Sequence, residues 1–274
     1  MPIRSLPGMM ADACRDAIVG WYFAATYRAL ATPAGREFLR AAAPLDAPAV
    51  HGYSSAEDIA ALLETLQPSH DDVVVDLGCG IGEVAIAVHH RTGCRVLGID
   101  ASLPAIVEAR RRTKAAGVTA AVRFEVGDLH STPIRGSAAY ALDSLMFVPR
   151  APGVLASMTR SLEPPGRVFC TFIDHRGLDR DSFARYLSGE GIQVKQLEDV
   201  TAGFAERSRR RAAAARRVFR ARPRRAGRPG LLVVLAEEAT VSWLIGRRRL
   251  RRWRFTASRS SAAAAARSSA SGSR

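Results

Sequence analysis

The sequence predicts an α/β fold: a doubly wound, mostly parallel sheet preceded by a cap of N-terminal helices. Three observations carry the prediction. Six short apolar runs alternate with helical stretches between residues 73 and 197, and such βαβ alternation packs helices on both faces of parallel strands. The first run, Val73 to Leu77, breaks at once into glycines at 78, 80 and 82, a turn in which the missing Cβ lets a ligand approach the backbone. Residues 11 to 42 keep helical spacing and contain no strand-like run.

Taken in order, the cap repeats Ile18, Trp21, Tyr22, Ala25 and Leu30 at roughly helical intervals, and Pro33 opens a second short helix. Trp21, Tyr22, Phe23 and Tyr27 form an aromatic cluster. Helix packing is the commoner use of such residues; lining an apolar ligand pocket, with Tyr22 facing it, is the other. Ser54 or Ser55 caps the next helix, with Glu57 and Asp58 in its first turn and Ile59, Leu62, Leu63 and Leu66 on one face before Pro68. The strands follow as Val73 to Leu77, Arg95 to Ile99, Val122 to Val126, Ala139 to Ser144, Arg167 to Ile173 and Ile192 to Leu197. Helices are expected between them at about 82–92, 104–116, 152–162 and 179–189.

The last third changes character. From Arg207 to Arg274 there are 20 arginines and two acids, a formal +18 against +14 for the whole chain, which leaves −4 for residues 1 to 206. Residues 207 to 230 are almost wholly Arg, Ala, Gly and Pro and are expected to be an irregular, solvated segment. Residues 231 to 250 regain helical character, 251 to 258 alternate like a final edge strand, and 259 to 274 read as a disordered tail. The organisation is therefore a helical cap (1–54), a main domain (55–206), the Arg/Ala segment (207–230), a last helix and strand (231–258) and the tail.

Cys14, Cys79, Cys94 and Cys170 fall singly, without a C-x-x-C pair or a histidine at ligand spacing, which predicts no metal and reduced thiols in a cytoplasmic protein. No apolar stretch reaches the length of a membrane span.

Chemistry concentrates at the strand ends. Asp76 closes the first strand, Asp100 the second, Asp128 follows the third, and Asp143 lies near the end of the fourth. Four acids at four successive strand ends converge on one crevice, where open α/β sheets bind ligands. The dinucleotide pattern needs a glycine at position 83, but the residue there is Glu83. The spacing Asp76-x-Gly78-x-Gly80-x-Gly82 instead resembles motif I of class I S-adenosylmethionine-dependent methyltransferases, of the small-molecule type, and the likeness extends over residues 55 to 200.

The resemblance implies a Rossmann-like domain that binds S-adenosyl-L-methionine. In it, Gly78, Cys79 and Gly80 hold the methionine part, with Asp76 and Gly82 framing the loop. Asp100 takes both ribose hydroxyls, Ala101 flanks the adenine, and Asp128 with Leu129 accepts or frames the adenine amino group. The segment from Asp143 to Phe147 passes close to the methyl group and the substrate. A sixth strand and an antiparallel seventh complete such domains, here 192–197 and 251–258. His130, His51 and Asp143 are the candidate bases if the acceptor must lose a proton. The expected activity is methyl transfer to a small-molecule acceptor, of the kind found in secondary metabolism. Nucleic acid is disfavoured as a partner, because the fourth strand lacks the Asn/Asp-Pro-Pro-aromatic sequence and no Pro-Cys pair is present. Two other readings stand beside it: a nucleic-acid methyltransferase or binding protein using the arginine-rich C-terminus, or an inactive protein on the same fold.

Overall fold

The computed structural model describes residues 20–43, 52–129, 135–148, 151–164, 166–188, 192–221 and 228–258. Its centre is a seven-stranded sheet built from β1 (Val73–Leu77), β2 (Arg95–Asp100), β3 (Val122–Val126), β4 (Ala138–Leu142), β5 (Arg167–Asp174), β6 (Gln193–Asp199) and β7 (Arg251–Ser258), in the order β3-β2-β1-β4-β5-β7-β6. The first five strands run parallel, and β7 is antiparallel to both β5 and β6. Strand order reverses between β1 and β4, which opens a crevice at their carboxyl ends. The fold is the mostly parallel, Rossmann-like sheet that the alternation predicts.

Helices cover both faces. α3 (Ala56–Leu66) starts at Ser55 in a reciprocal capping box with Asp58, and buries Ile59, Leu62 and Leu66. α4 (Glu83–Thr92), α5 (Leu103–Ala116), α6 (Ala151–Ser161) and α7 (Arg180–Ser188) connect the strands. Two apolar cores result. One packs α6 and α7 against β4, β5 and β7 through Leu155, Phe172, Phe183, Trp253 and Phe255. The other packs α3, α4 and α5 against β1 to β3 through Leu62, Val88, Ile106 and Phe124.

Three expectations are corrected. Position 251–258 is an interior strand: β7 pairs with β5 over eight residues and with β6 on its other side, and β6 forms the edge. Its burial explains the change, since Trp253, Phe255 and Ala257 face the core. β4 ends at Leu142, so Asp143 lies beyond the strand, in the left-handed region at φ 57°. Residues 207–221, expected to be irregular, are the greater part of a helix, α8 (Thr201–Ala221), which crosses the boundary placed at 206/207. Alanine and arginine are both strong helix formers, so this composition is no barrier to a helix.

The cap is assembled from both ends of the chain. A helix over residues 20–30 (α1) and α2 (Pro33–Ala42) pack with α8 and with α9 (Arg228–Gly246) around Tyr27, Leu30, Phe38, Ala215, Val218 and Val234. Cys14, His51, His130, residues 1–19 and the tail at 259–274 lie outside the described residues.

The glycine loop is packed too closely to accept side chains. Gly82 ends it at φ 78°, and a Cβ there would sit 2.4 Å from Cζ of Phe124 and 3.0 Å from Cβ of Ala109. Gly82→Ala is expected to cost about 2–3 kcal/mol from left-handed strain and overpacking together, read as a lowered urea midpoint.

Candidate active site

The loop reaches its shape through β2. The backbone N–H groups of Gly78 and Cys79 both donate to the Ile99 carbonyl at 2.7 and 3.1 Å, and Gly80 N–H donates to Asp100 Oδ2 at 2.9 Å. The other Asp100 oxygen accepts from Ser102 N–H at 2.8 Å, so one carboxylate fixes both the glycine loop and the start of α5. Ser144 closes the opposite side. Its hydroxyl donates to the Leu77 carbonyl, and a Cβ on Gly78 would lie 2.3 Å from Cβ of Ser144. Glu83, standing where a third dinucleotide glycine would be, pairs with Arg112 on α5.

One cavity of about 790 Å³ opens above the strand ends. Asp76, Gly78, Cys79, Gly80, Asp100, Ala101, Asp128, Leu129 and Asp143 all line it. Gly82 does not: it shapes the turn and stands at the N-cap of α4. The four strand-end acids thus meet around one space, as the register of the strands requires. The aromatic cap forms the far wall with Tyr22, Phe23, Tyr27 and Phe147, where the Phe23 and Phe147 rings meet edge to face at 4.7 Å. Trp21 is 72% exposed and takes no part.

The acids are not equivalent. Burial, with Asp100 nearby, pushes the Asp76 carboxyl up to about 7, against the opposing pull of the Tyr140 hydroxyl, which approaches without hydrogen-bond geometry. Asp100 is raised by burial too, offset by its two backbone N–H donors. Asp143 is differently engaged. Its two oxygens accept from Arg252 Nε at 2.9 and 3.1 Å, and the same guanidinium donates from Nη1 to Asp58 at 2.8 Å. Both Asp143 oxygens are thus taken up by a buried guanidinium, which argues against Asp143 as a base.

Several lining residues carry no sequence signal comparable to the glycine loop. Glu237, Val241 and Leu244 come from α9, Tyr53 from the turn before α3, and His175 from the end of β5. His175 had a readable cue, as it directly follows the strand-end Asp174. Glu237 had none, because its helix comes from the far end of the sequence.

A pocket that places buried carboxylates around a glycine loop suits a cationic, ribose-bearing ligand, with backbone N–H groups and the N-terminus of α4 at hand. The site therefore fits the cofactor implied by the sequence. Residues 74–166 match the family profile described as Methyltransferase domain. Over those residues the chain carries a methyltransferase domain. The methyltransferase domain is similar to Methyltransferase GfsG of Streptomyces halstedii, 27% identical over 165 residues, which are 51% of this chain and 59% of that protein. Malonyl-[acyl-carrier protein] O-methyltransferase of Xylella fastidiosa is 27% identical over 140 residues, covering 50% of this chain and 46% of its own length. The chain thus spans less than two thirds of either relative. Among solved structures, the [4+2]-cyclase SpnF superposes with a TM-score of 0.66 at 20% identity, over 88% of this chain and 94% of its own. A methyltransferase from Thiobacillus denitrificans with bound S-adenosyl-L-homocysteine gives 0.60 at 21%, over 76% and 93%. At these identities the two structures speak for the fold of the methyltransferase domain.

Proposed function

We propose that the chain transfers a methyl group from S-adenosyl-L-methionine to a small-molecule acceptor. The observation that carries this reading is that one cavity joins the glycine loop and its acids to an apolar aromatic cap. Its 790 Å³ lies in the upper part of the range of small-molecule sites, roughly 300–1,000 Å³, which leaves room for donor and acceptor together. SpnF bears another activity in its name on the same fold, so the reading rests on the site rather than on the superposition.

When bound, the cofactor supplies an electrophilic methyl group on a sulfonium. The chain's own residues would hold and align it. Asp100 takes the ribose hydroxyls, Asp128 with Leu129 and Ala101 frames the adenine, and Gly78, Cys79 and Gly80 expose backbone to the amino-acid part. Asp76 faces the cationic end without reacting. The cap excludes water, and Tyr22 and Phe147 position the acceptor, which is the main work of this reaction class. The cytoplasm is the compartment we propose, on the free thiols of Cys79, Cys94 and Cys170. Among the described residues no helix is long and apolar enough to cross a membrane.

The arginine-rich helix gives the nucleic-acid reading little support. Arg209 and Arg210 pair with Glu206, and Arg211 is buried against Glu238. Calorimetry with S-adenosyl-L-homocysteine, followed by an acceptor screen that measures its formation, tests the proposal; no binding at millimolar ligand would sink it.

The Asp76 carboxyl gives cofactor binding a pH dependence. Its folded pKa of about 7 exceeds the ordinary carboxylate value, so ionising it costs the ligand-free protein stability as pH rises towards 7. A cationic ligand that pairs with Asp76 favours the ionised form and releases a proton when it binds below that pH. Affinity is therefore expected to weaken by up to about tenfold per pH unit as pH falls from 7 to 5, and Asp76→Asn should flatten the profile.

A further inference from the structure

We infer that Glu237 is an acceptor-binding carboxylate and that the acceptor class is a largely apolar amine, its ammonium seated on Glu237. This deepens the methyl-transfer reading and rests on it for the identity of the cavity. The argument begins with two adjacent acids on α9. Glu238 is buried and fully engaged: Arg211 Nε donates to it at 2.5 Å, Ser208 at 2.9 Å and the Tyr53 hydroxyl at 3.1 Å. Glu237, one residue earlier, turns towards the cavity and lines it. It receives only hydroxyls, from Tyr22 at 2.7 Å and Tyr53 at 3.4 Å, and among the described residues no cation pairs with it.

That arrangement orients the carboxylate with hydroxyls, while Arg211, which feels its charge, makes its ion pair with Glu238. Burial and the nearby Glu237 push both tyrosines above their ordinary range, so they stay protonated and donate. A carboxylate offers about four lone-pair sites, of which the tyrosines occupy two. The cavity that Glu237 lines is mostly apolar, with Phe23, Met146, Phe147, Val241, Leu244 and Leu250 in its wall. A partly desolvated carboxylate set among aromatic and aliphatic faces is matched by a cation carried on an apolar body, with the ring faces adding attraction for the charge. Two of the four acids at the strand ends are satisfied in other ways, Asp143 by Arg252 and Asp100 by backbone N–H groups. The amine is an anchor, and the inference concerns binding rather than the atom that receives the methyl.

The test compares 4-phenylbutylamine with 4-phenylbutanol by calorimetry on the full chain, with and without saturating S-adenosyl-L-homocysteine. The amine should bind at least about tenfold more tightly than the alcohol, the size of one charge-assisted hydrogen bond. Glu237→Gln should erase that preference and retain S-adenosyl-L-homocysteine binding. Tyr22→Phe, which keeps the ring and removes one orienting hydroxyl, should reduce the preference without abolishing it. Equal affinities in the unaltered protein, or a preference that survives Glu237→Gln, would overturn the inference, as would loss of S-adenosyl-L-homocysteine binding in Glu237→Gln, which would move Glu237 to the cofactor end. Failure of the unaltered protein to bind S-adenosyl-L-homocysteine overturns the methyl-transfer reading instead, and the cofactor-free comparison still decides for or against Glu237 as an amine site.

Discussion

Replacing Arg252 with alanine should destabilise the fold by about 3–5 kcal/mol, the range for breaking a buried ion pair from one side. Arg252 is 2% exposed and joins three elements: its own strand β7, Asp143 just after β4, and Asp58 in the first turn of α3. Burial works against its charge, but Asp143 and Asp58 outweigh that and hold its pKa above the ordinary arginine value. Alanine would leave two buried carboxylates facing each other with no cation between them. Asp58 would keep its capping contact with Ser55, a longer 3.5 Å approach from Arg254 and the more distant charge of Arg207. Urea denaturation of Arg252→Met and of Arg252→Met with Asp143→Asn separates charge from packing. The single change should cost nearly as much as alanine, and the second should return at least about 1 kcal/mol, since removing the stranded acid removes part of the penalty. A loss below about 1 kcal/mol for Arg252→Ala would mean that the network is solvated and does not organise this corner of the fold.

The same network shows what the sequence concealed. The glycine loop and its strand-end acids were readable because their chemistry is local: each acid follows its own apolar run, and parallel register brings the ends together without further information. The cap was not readable in that way. On α8 the buried positions Phe204, Ser208, Arg211, Ala215 and Val218 recur at intervals of four and three, a sound helical stripe. Two of the five are polar, so a search for apolar periodicity passes over them. Their burial makes sense only beside Glu238, 30 residues from Ser208 and 27 from Arg211 along the chain. Asp143 was legible only in part for a related reason. Its place after a strand suggests a ligand-facing acid, and it lines the cavity, but its ion-pair partner comes from β7, 109 residues later. Long-range pairing of buried charge leaves no periodic trace. Such pairing also bears on the arginine-rich C-terminus: Arg211 and Arg252 meet acids placed to receive them, and β7 fills the slot between β5 and β6. These are the marks of a segment that belongs to the fold.

Asp100→Ala is expected to weaken S-adenosyl-L-homocysteine binding by roughly 10²–10⁴-fold, from the loss of two charge-assisted hydrogen bonds to the ribose at about 1.5–3 kcal/mol each. The structure adds a second route to the same loss. The carboxylate also accepts from Gly80 and Ser102, so alanine would leave both N–H groups without that acceptor and loosen the loop that meets the ligand. The two routes separate by comparing affinity with stability. Asp100→Asn keeps an oxygen for one backbone donor but turns an amide NH₂ towards the other. If ordering the loop is the main role, the asparagine variant should lose stability and affinity together. If ribose binding is the main role, affinity should fall much further than the urea midpoint does, because the ribose contacts exist only in the complex. We expect the second pattern, since an N–H beside an open cavity recovers much of its hydrogen bonding from water. Unchanged affinity in Asp100→Ala would remove the ribose assignment and, with it, the orientation of the cofactor along the strand ends.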